Sequence, residues 1–171
     1  MRVSVIGCSG SGKTTFGKAL AAHLGVPFVE LDAIFHQPGW TELPEDEFRA
    51  RVRAAIAGDG WVVDGNYGAV RPLVLERATT VAWLDYSRPR VMQQVVRRSV
   101  SRGVLRRELW NGNREDPRNW LQPDHPIRWA WSQHGRKRAE YAARFREPQY
   151  ARIDARRFRT PREAGAWLQA I

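Results

Sequence analysis

Near its start the chain reads Val3-Ser4-Val5-Ile6-Gly7-Cys8-Ser9-Gly10-Ser11-Gly12-Lys13-Thr14-Thr15, an apolar run passing straight into the spacing GxxxxGK[ST]. Glycines let a backbone wrap its N–H groups around an anion, and a helix that starts at the loop points its positive end inward. Gly7, Ser9, Gly10, Ser11, Gly12, Lys13, Thr14 and Thr15 are therefore the expected contacts of a nucleoside triphosphate, with Lys13 as mobile charge and the Thr14 hydroxyl turned to Mg²⁺. The context supports this, because a strand precedes the loop and a helix, Lys13 to Leu24, follows it. Cys8 reads as a small residue that fits the loop more readily than as a tuned thiolate.

At 171 residues the chain has room for one α/β domain, spanning 1–171. One cysteine leaves no internal disulfide, and the four histidines show no metal-ligand spacing. The chain enters a strand at once and holds no bilayer-length apolar run, so a cytoplasmic protein without a membrane partner is expected. The net charge of +10, from 28 Lys+Arg against 18 Asp+Glu, gathers after Arg88 and would attract polyanions. Nucleic acid is thus a possible partner, though a phosphoryl-transfer site itself needs several arginines.

Strand and helix alternate along the rest. Pro27 to Leu31 reads as a strand delivering Asp32, and Pro44 to about Ala57 as a helix. Trp61 to Val63 is a strand closing on Asp64, Val70 to Ala78 a short helix, and Thr79 to Leu84 a further strand. Pro89 to Arg102 is an amphipathic helix, Ile127 to Phe145 another, Tyr150 to Ile153 the fifth strand, and Pro161 to Ile171 a closing helix capped by Thr160 with Glu163. Gly103 to Pro126, with Arg106, Arg107, Arg114, Arg118, Trp110 and Trp120, has the composition of a cover. This rhythm implies a three-layer P-loop NTPase fold: a parallel five-stranded sheet, helices on both faces and an arginine-rich lid at about 102–126. Ligands then sit beyond the carboxyl ends of the strands.

Asp32, Asp64 and Asp85 fall at such ends. Asp64 terminates an apolar strand as a metal-holding acid does, whereas Asp85 suits a helix cap. Asp32 reads as general base, metal contact or cap.

Four stretches together resemble the adenylate kinase-like and shikimate kinase-like P-loop kinases: Gly7 to Thr15, Leu31-Asp32 with Pro38-Gly39-Trp40, Val63-Asp64-Gly65-Asn66-Tyr67, and Glu108-Leu109-Trp110-Asn111-Gly112-Asn113-Arg114. The chain looks most like the small bacterial proteins labelled DNA topology modulation or adenylate kinase-related. The resemblance implies an acceptor-binding region at about 33–60 and a lid between the fourth and fifth strands. It also implies an acceptor pocket lined by Asp32, Phe35, His36, Trp40, Asn66, Tyr67 and Arg71. Asn66-Tyr67-Gly68 stands where adenylate kinases hold the AMP phosphate, with Arg71 the nearest arginine. Arg98 matches a lid arginine, with Arg97 and Arg102 beside it as further candidates for the transferring phosphoryl group. Ala155-Arg156-Arg157 resembles the loop on the adenine side, placing Arg157 on the base.

The reading that follows is an ATP- and Mg²⁺-dependent kinase of a nucleotide, nucleoside or other small hydroxyl acceptor, working as monomer or dimer. Lys13, Asp32, Arg98 and Arg102 are its catalytic candidates. A nucleic-acid-associated ATPase or regulator of DNA topology is the alternative.

Overall fold

The computed structural model describes the backbone of residues 1–104, 108–113 and 126–171, and the side chains of all of these except 102–104 and 126. Five strands, β1 (Arg2–Gly7), β2 (Phe28–Glu30), β3 (Trp61–Asp64), β4 (Thr80–Leu84) and β5 (Asp154–Phe158), form one parallel sheet in the order β2-β3-β1-β4-β5. The helices are α1 (Lys13–Leu24), α2 (Leu31–Phe35), α3 (Glu45–Ala55), α4 (Arg71–Arg77), α5 (Arg88–Val104), α6 (Pro126–Arg144) and α7 (Pro161–Ala170). No helix among the described residues is long and apolar enough to cross a membrane.

The central strands β1, β3 and β4 are largely apolar on both sides because both sides are covered, and their period of two sorts the residues between the layers. Val3, Val5, Val62, Ala82 and Leu84 pack with Leu20, Val91, Val95, Ala130 and Ala164 on one side. Trp61 and Val63 face the other with Phe48, Val52 and Val74, while Ile6, Val81 and Trp83 meet Leu75 and Tyr141. Asp64, two residues beyond Val62, shares the Val62 side and so meets α1. The closing helix starts as expected: Glu163 N–H donates to Thr160 Oγ1 at 3.2 Å, and Arg159 N–H donates to the Glu163 carboxylate at 2.9 Å.

The expected fifth strand is displaced. Pro148–Tyr150 forms a 3-10 turn and Ile153 is buried beside Tyr141, whereas the strand itself is Asp154–Phe158 at the sheet edge. Arg156 and Arg157 are exposed there, so this strand has little of the apolar signal that a covered strand carries. Ala155-Arg156-Arg157 therefore lies within β5 and not in a loop after it. The Arg157 guanidinium sits over the Trp83 ring at 4.4 Å and donates from Nε and Nη2 to Asp85 Oδ2 at 2.9 and 2.6 Å. Arg138 Nε approaches the same oxygen at 3.1 Å. In place of the adenine contact expected of Arg157, its guanidinium anchors the buried Asp85 carboxylate.

Arg157→Ala should accordingly lower unfolding free energy by about 1.5–3 kcal/mol, the range for hydrogen bonds to a charged group. Denaturant titration measures this, and the KM for ATP should stay within roughly twofold of the native value.

Candidate active site

Gly10 and Gly12 both take φ of 84°, a left-handed conformation that glycine adopts without penalty. A Cβ on Gly10 would lie 2.7 Å from Val95 Cβ and 2.9 Å from the Val91 carbonyl oxygen, so the loop is pressed against α5. Ser11 N–H donates to the Cys8 carbonyl at 3.0 Å, which turns the chain into α1 with Gly12 as N-cap and no side-chain cap on the first N–H groups. Those groups are free to hold an anion. Lys13 Nζ rests on the Cys8 carbonyl at 3.3 Å.

Two buried oxygens in this cradle, Ser11 Oγ and Asp64 Oδ1, have no hydrogen-bond partner among the described residues. The other Asp64 oxygen accepts from Thr14 Oγ1 at 2.5 Å. Burial pushes the Asp64 carboxyl up, against the opposing pull of Lys13 and Thr14. A hydroxyl joined to a carboxylate that still has an unused oxygen suits a hard divalent cation, so Thr14 and Asp64 are the residues that would hold Mg²⁺. Cys8 is buried and its thiol pushed up by that burial despite nearby Lys13, which describes an unreactive packing residue.

A cavity of about 700 Å³ opens beside the loop, with Lys13, Thr14, Asp32, Asp64, Gln94, Arg97 and Arg98 in its wall. Arg98 Nη2 donates to Ser9 Oγ at 3.2 Å, placing one expected lid arginine over the phosphate loop. Arg102 lies on α5 four residues on, but its side chain is outside the described residues, as are Arg106, Arg107, Arg114, Arg118 and Trp120.

A second cavity, of about 470 Å³, shares Ser9, Lys13 and Asp32 with the first and adds Asn66, Tyr67, Trp129, Lys137 and Tyr141. Asp32 stands in the first turn of α2, one element past the strand end expected for it, and Tyr67 Oη donates to its Oδ1 at 2.6 Å. Arg71 Nε donates to Asn66 Oδ1 at 2.7 Å, with Nη1 3.4 Å from Glu140 Oε1. Lys137 and Arg144 reach the same Glu140 carboxylate at 2.9 Å each. Lys137, Trp129 and Tyr141 were missed from the sequence, since α6 has no motif that marks which of its turns faces the loop.

His36 and Trp40 lie one layer out. His36 Nε2 is 3.4 Å from Tyr67 Oη, and its ring packs on Trp110 at 6.0 Å and edge-on to Trp40 at 5.4 Å. Residues 108–113 clasp this loop: Asn113 Oδ1 accepts from Trp40 N–H at 2.9 Å and Asn113 Nδ2 donates to the Gln37 carbonyl at 2.9 Å. Asn111 Nδ2 donates to the carbonyls of Ala33 and His36 at 3.2 and 2.6 Å. Trp40 thus holds the loop together and is no wall of either cavity, a correction to its expected place in the acceptor pocket.

A phosphate loop, a Thr–Asp metal pair and a carboxylate across a shared cavity are the parts of a phosphotransferase. The sequence profile of the shikimate kinase family matches residues 9–166. The chain belongs to that family. Shikimate kinase of Symbiobacterium thermophilum is 33% identical over 127 residues, 66% of this chain and 71% of that one. The enzyme of Parasynechococcus marenigrum is 32% identical over 124 residues, 61% of this chain and 62% of its own length. The fold matches the crystal structure of shikimate kinase from Bacteroides thetaiotaomicron at TM-score 0.58 and 17% identity, covering 99% of this chain and 95% of that one. A gluconokinase from Sinorhizobium meliloti 1021 matches at TM-score 0.52 and 21% identity, covering 98% and 91%. The chain is an ATP-dependent small-molecule kinase that uses Mg²⁺. These curated relatives are shikimate kinases, so the narrower likeness to DNA topology modulation or adenylate kinase-related proteins gains no support from them.

Lys13→Ala should cut kcat/KM for ATP at least about 100-fold, the loss typical of removing one preorganised charge, as read by a coupled ADP assay. Asn113→Ala strips two partners from a buried amide junction, so hydrogen exchange at the Trp40 amide should accelerate by roughly 10-fold or more.

Proposed function

We propose that the protein transfers the γ-phosphoryl group of ATP to a hydroxyl of shikimate or a closely similar hydroxylated carboxylic acid. One observation carries this reading: Asp32, Lys13 and Lys137 line one cavity. The carboxylate paired with Lys137, Glu140, also meets Arg71 and Arg144, so cations outnumber it by three to one. A surplus of positive charge beside a general base complements a substrate that is anionic at one end and hydroxylated at the other.

In this reading the acceptor oxygen forms a bond to the γ-phosphorus while the bond from phosphorus to the β–γ bridging oxygen breaks, its electron pair remaining on ADP. The hydroxyl proton passes to Asp32. Bound Mg²⁺ supplies neutralising charge on the phosphates. Lys13 and Arg98 hold the negative charge of the transferring group at the loop. Asn66 and Tyr67 are acceptor-side residues, with Arg71 fixing the Asn66 amide. A cytoplasmic setting, where ATP is plentiful, completes the proposal.

The alternative of nucleic-acid binding loses its motive in part. Arg152 donates to the carbonyls of Leu75, Glu76 and Ala78, Arg77 to those of Ala57 and Gly58, and Arg49 to that of Ala69. Much of the basic charge has structural work.

The test is a coupled assay with MgATP and shikimate, run beside gluconate. Shikimate-dependent ADP release with formation of a phosphate ester is the expected result; turnover on gluconate alone would overturn the acceptor assignment. Asp32→Asn should lower kcat by about 100-fold or more while calorimetric ATP affinity is kept. Lys137→Met should raise the acceptor KM roughly 10-fold and leave the ATP KM in place.

A further inference from the structure

Asp32 is half-buried at the start of a five-residue helix, a poor place from which to hold a carboxylate still. Its orientation is set from another element. Tyr67 Oη reaches Asp32 Oδ1 at 2.6 Å, and among the described residues Oδ2 has no hydrogen-bond partner. The phenol is held in turn by its ring, which packs at 4.7 Å on Phe35 and edge-on at 5.3 Å to Phe48, a fully buried core residue. The Tyr67 backbone is fixed as well, since its carbonyl accepts from Val70 N–H at 3.3 Å and Arg71 N–H at 2.9 Å. Burial and the Asp32 charge push the phenol far above its ordinary range, so it remains a donor at any working pH.

We propose that Tyr67 is a positioning residue for the reaction: it occupies one oxygen of Asp32 and fixes the carboxylate so that the other, Oδ2, takes the acceptor hydroxyl's proton. The inference rests on the assignment of Asp32 as base. A carboxylate with one oxygen tied no longer turns freely and presents its other oxygen to the substrate, and small losses of alignment at such a group cost rate more than binding. Sequence reading places Tyr67 merely among the acceptor contacts; the 2.6 Å bond gives it a role exerted through Asp32.

Tyr67→Phe keeps both ring contacts and deletes the hydroxyl. On the full chain with MgATP and shikimate, or with whichever acceptor proves to be the substrate, kcat should fall roughly 10-fold, with both KM values within about twofold of native. In an Asp32→Asn background the same change should lower kcat less than about twofold further, because the carboxylate it positions is gone. Multiplying losses would overturn the proposal, and so would a native kcat in Tyr67→Phe or a raised acceptor KM with unchanged kcat. If Asp32→Asn is itself fully active, the assignment of the base fails and the proposal with it. If Asp32→Asn is inactive while Tyr67→Phe is native, the positioning role alone fails. Should Tyr67→Phe melt below assay temperature, 3-fluorotyrosine in place of Tyr67 keeps ring and hydroxyl but strengthens the donor. A kcat unmoved by that replacement would equally overturn the role.

Discussion

The phosphate loop lies so close to α5 that no side chain fits at Gly10, and the remainder of the site is arranged from that contact. Val91 and Val95, which close over the loop, lie on the same helical face as Gln94 and Arg98. Pressing α5 onto the glycine therefore also delivers Arg98 to Ser9 in the loop. On the opposite side the Thr14–Asp64 bond ties the loop to the end of β3. The chain leaving β3 then runs at once through Gly65 and Asn66 to Tyr67, whose hydroxyl donates to Asp32. Thr14 and Asp32 are thus both hydrogen-bonded to residues at one strand exit, Asp64 and Tyr67.

What could be read from the sequence was what is local. The loop at Gly7 to Thr15 is a contiguous signal whose glycines have a backbone reason, and Asp64 was recognisable because a strand of Trp61, Val62 and Val63 leads into it. The capping pair Thr160 and Glu163 spans three residues and formed as expected. Reading failed where an element is defined by its partners. β5 is an edge strand carrying Arg156 and Arg157 outward, while the apolar Ile153 that suggested a strand belongs to a turn packed on Tyr141. Arg157 was misassigned for the same reason, since its partner Asp85 lies 72 residues away. Lys137 and Tyr141 enter the acceptor cavity from a helix in which nothing about spacing singles them out.

The strongly basic composition illustrates how net charge can mislead about function. Asp85 draws Arg157 and Arg138, Glu140 draws Arg71, Lys137 and Arg144, and Arg152 closes exposed carbonyls at the end of α4. Each acid is outnumbered, so these clusters are held by charge and still leave a positive remainder. Where the remainder faces solvent it contributes to solubility. At Lys137 the same pairing stands in the wall of the cavity that also holds Asp32 and Lys13.

The junction between residues 36–41 and 108–113 shows a different balance. Trp40 and Asn111 both take positive φ, 59° and 55°, a conformation costing a residue with a side chain of order 1 kcal/mol. Asn tolerates it; Trp does not do so unaided. The hydrogen bonds of Asn113 to Trp40 N–H and Gln37, together with the stacking of Trp110 on His36, offset that cost on both strands of the junction at once. Neither strand has reason to hold its conformation without the other. Since Glu108 and Leu109 at the start of the same segment line the cavity beside the phosphate loop, while His36 in the facing segment touches Tyr67, the clasp spans from that cavity wall to the Tyr67–Asp32 pair. Its asparagines therefore hold together two segments that reach the phosphate-loop cavity on one side and the Tyr67–Asp32 pair on the other.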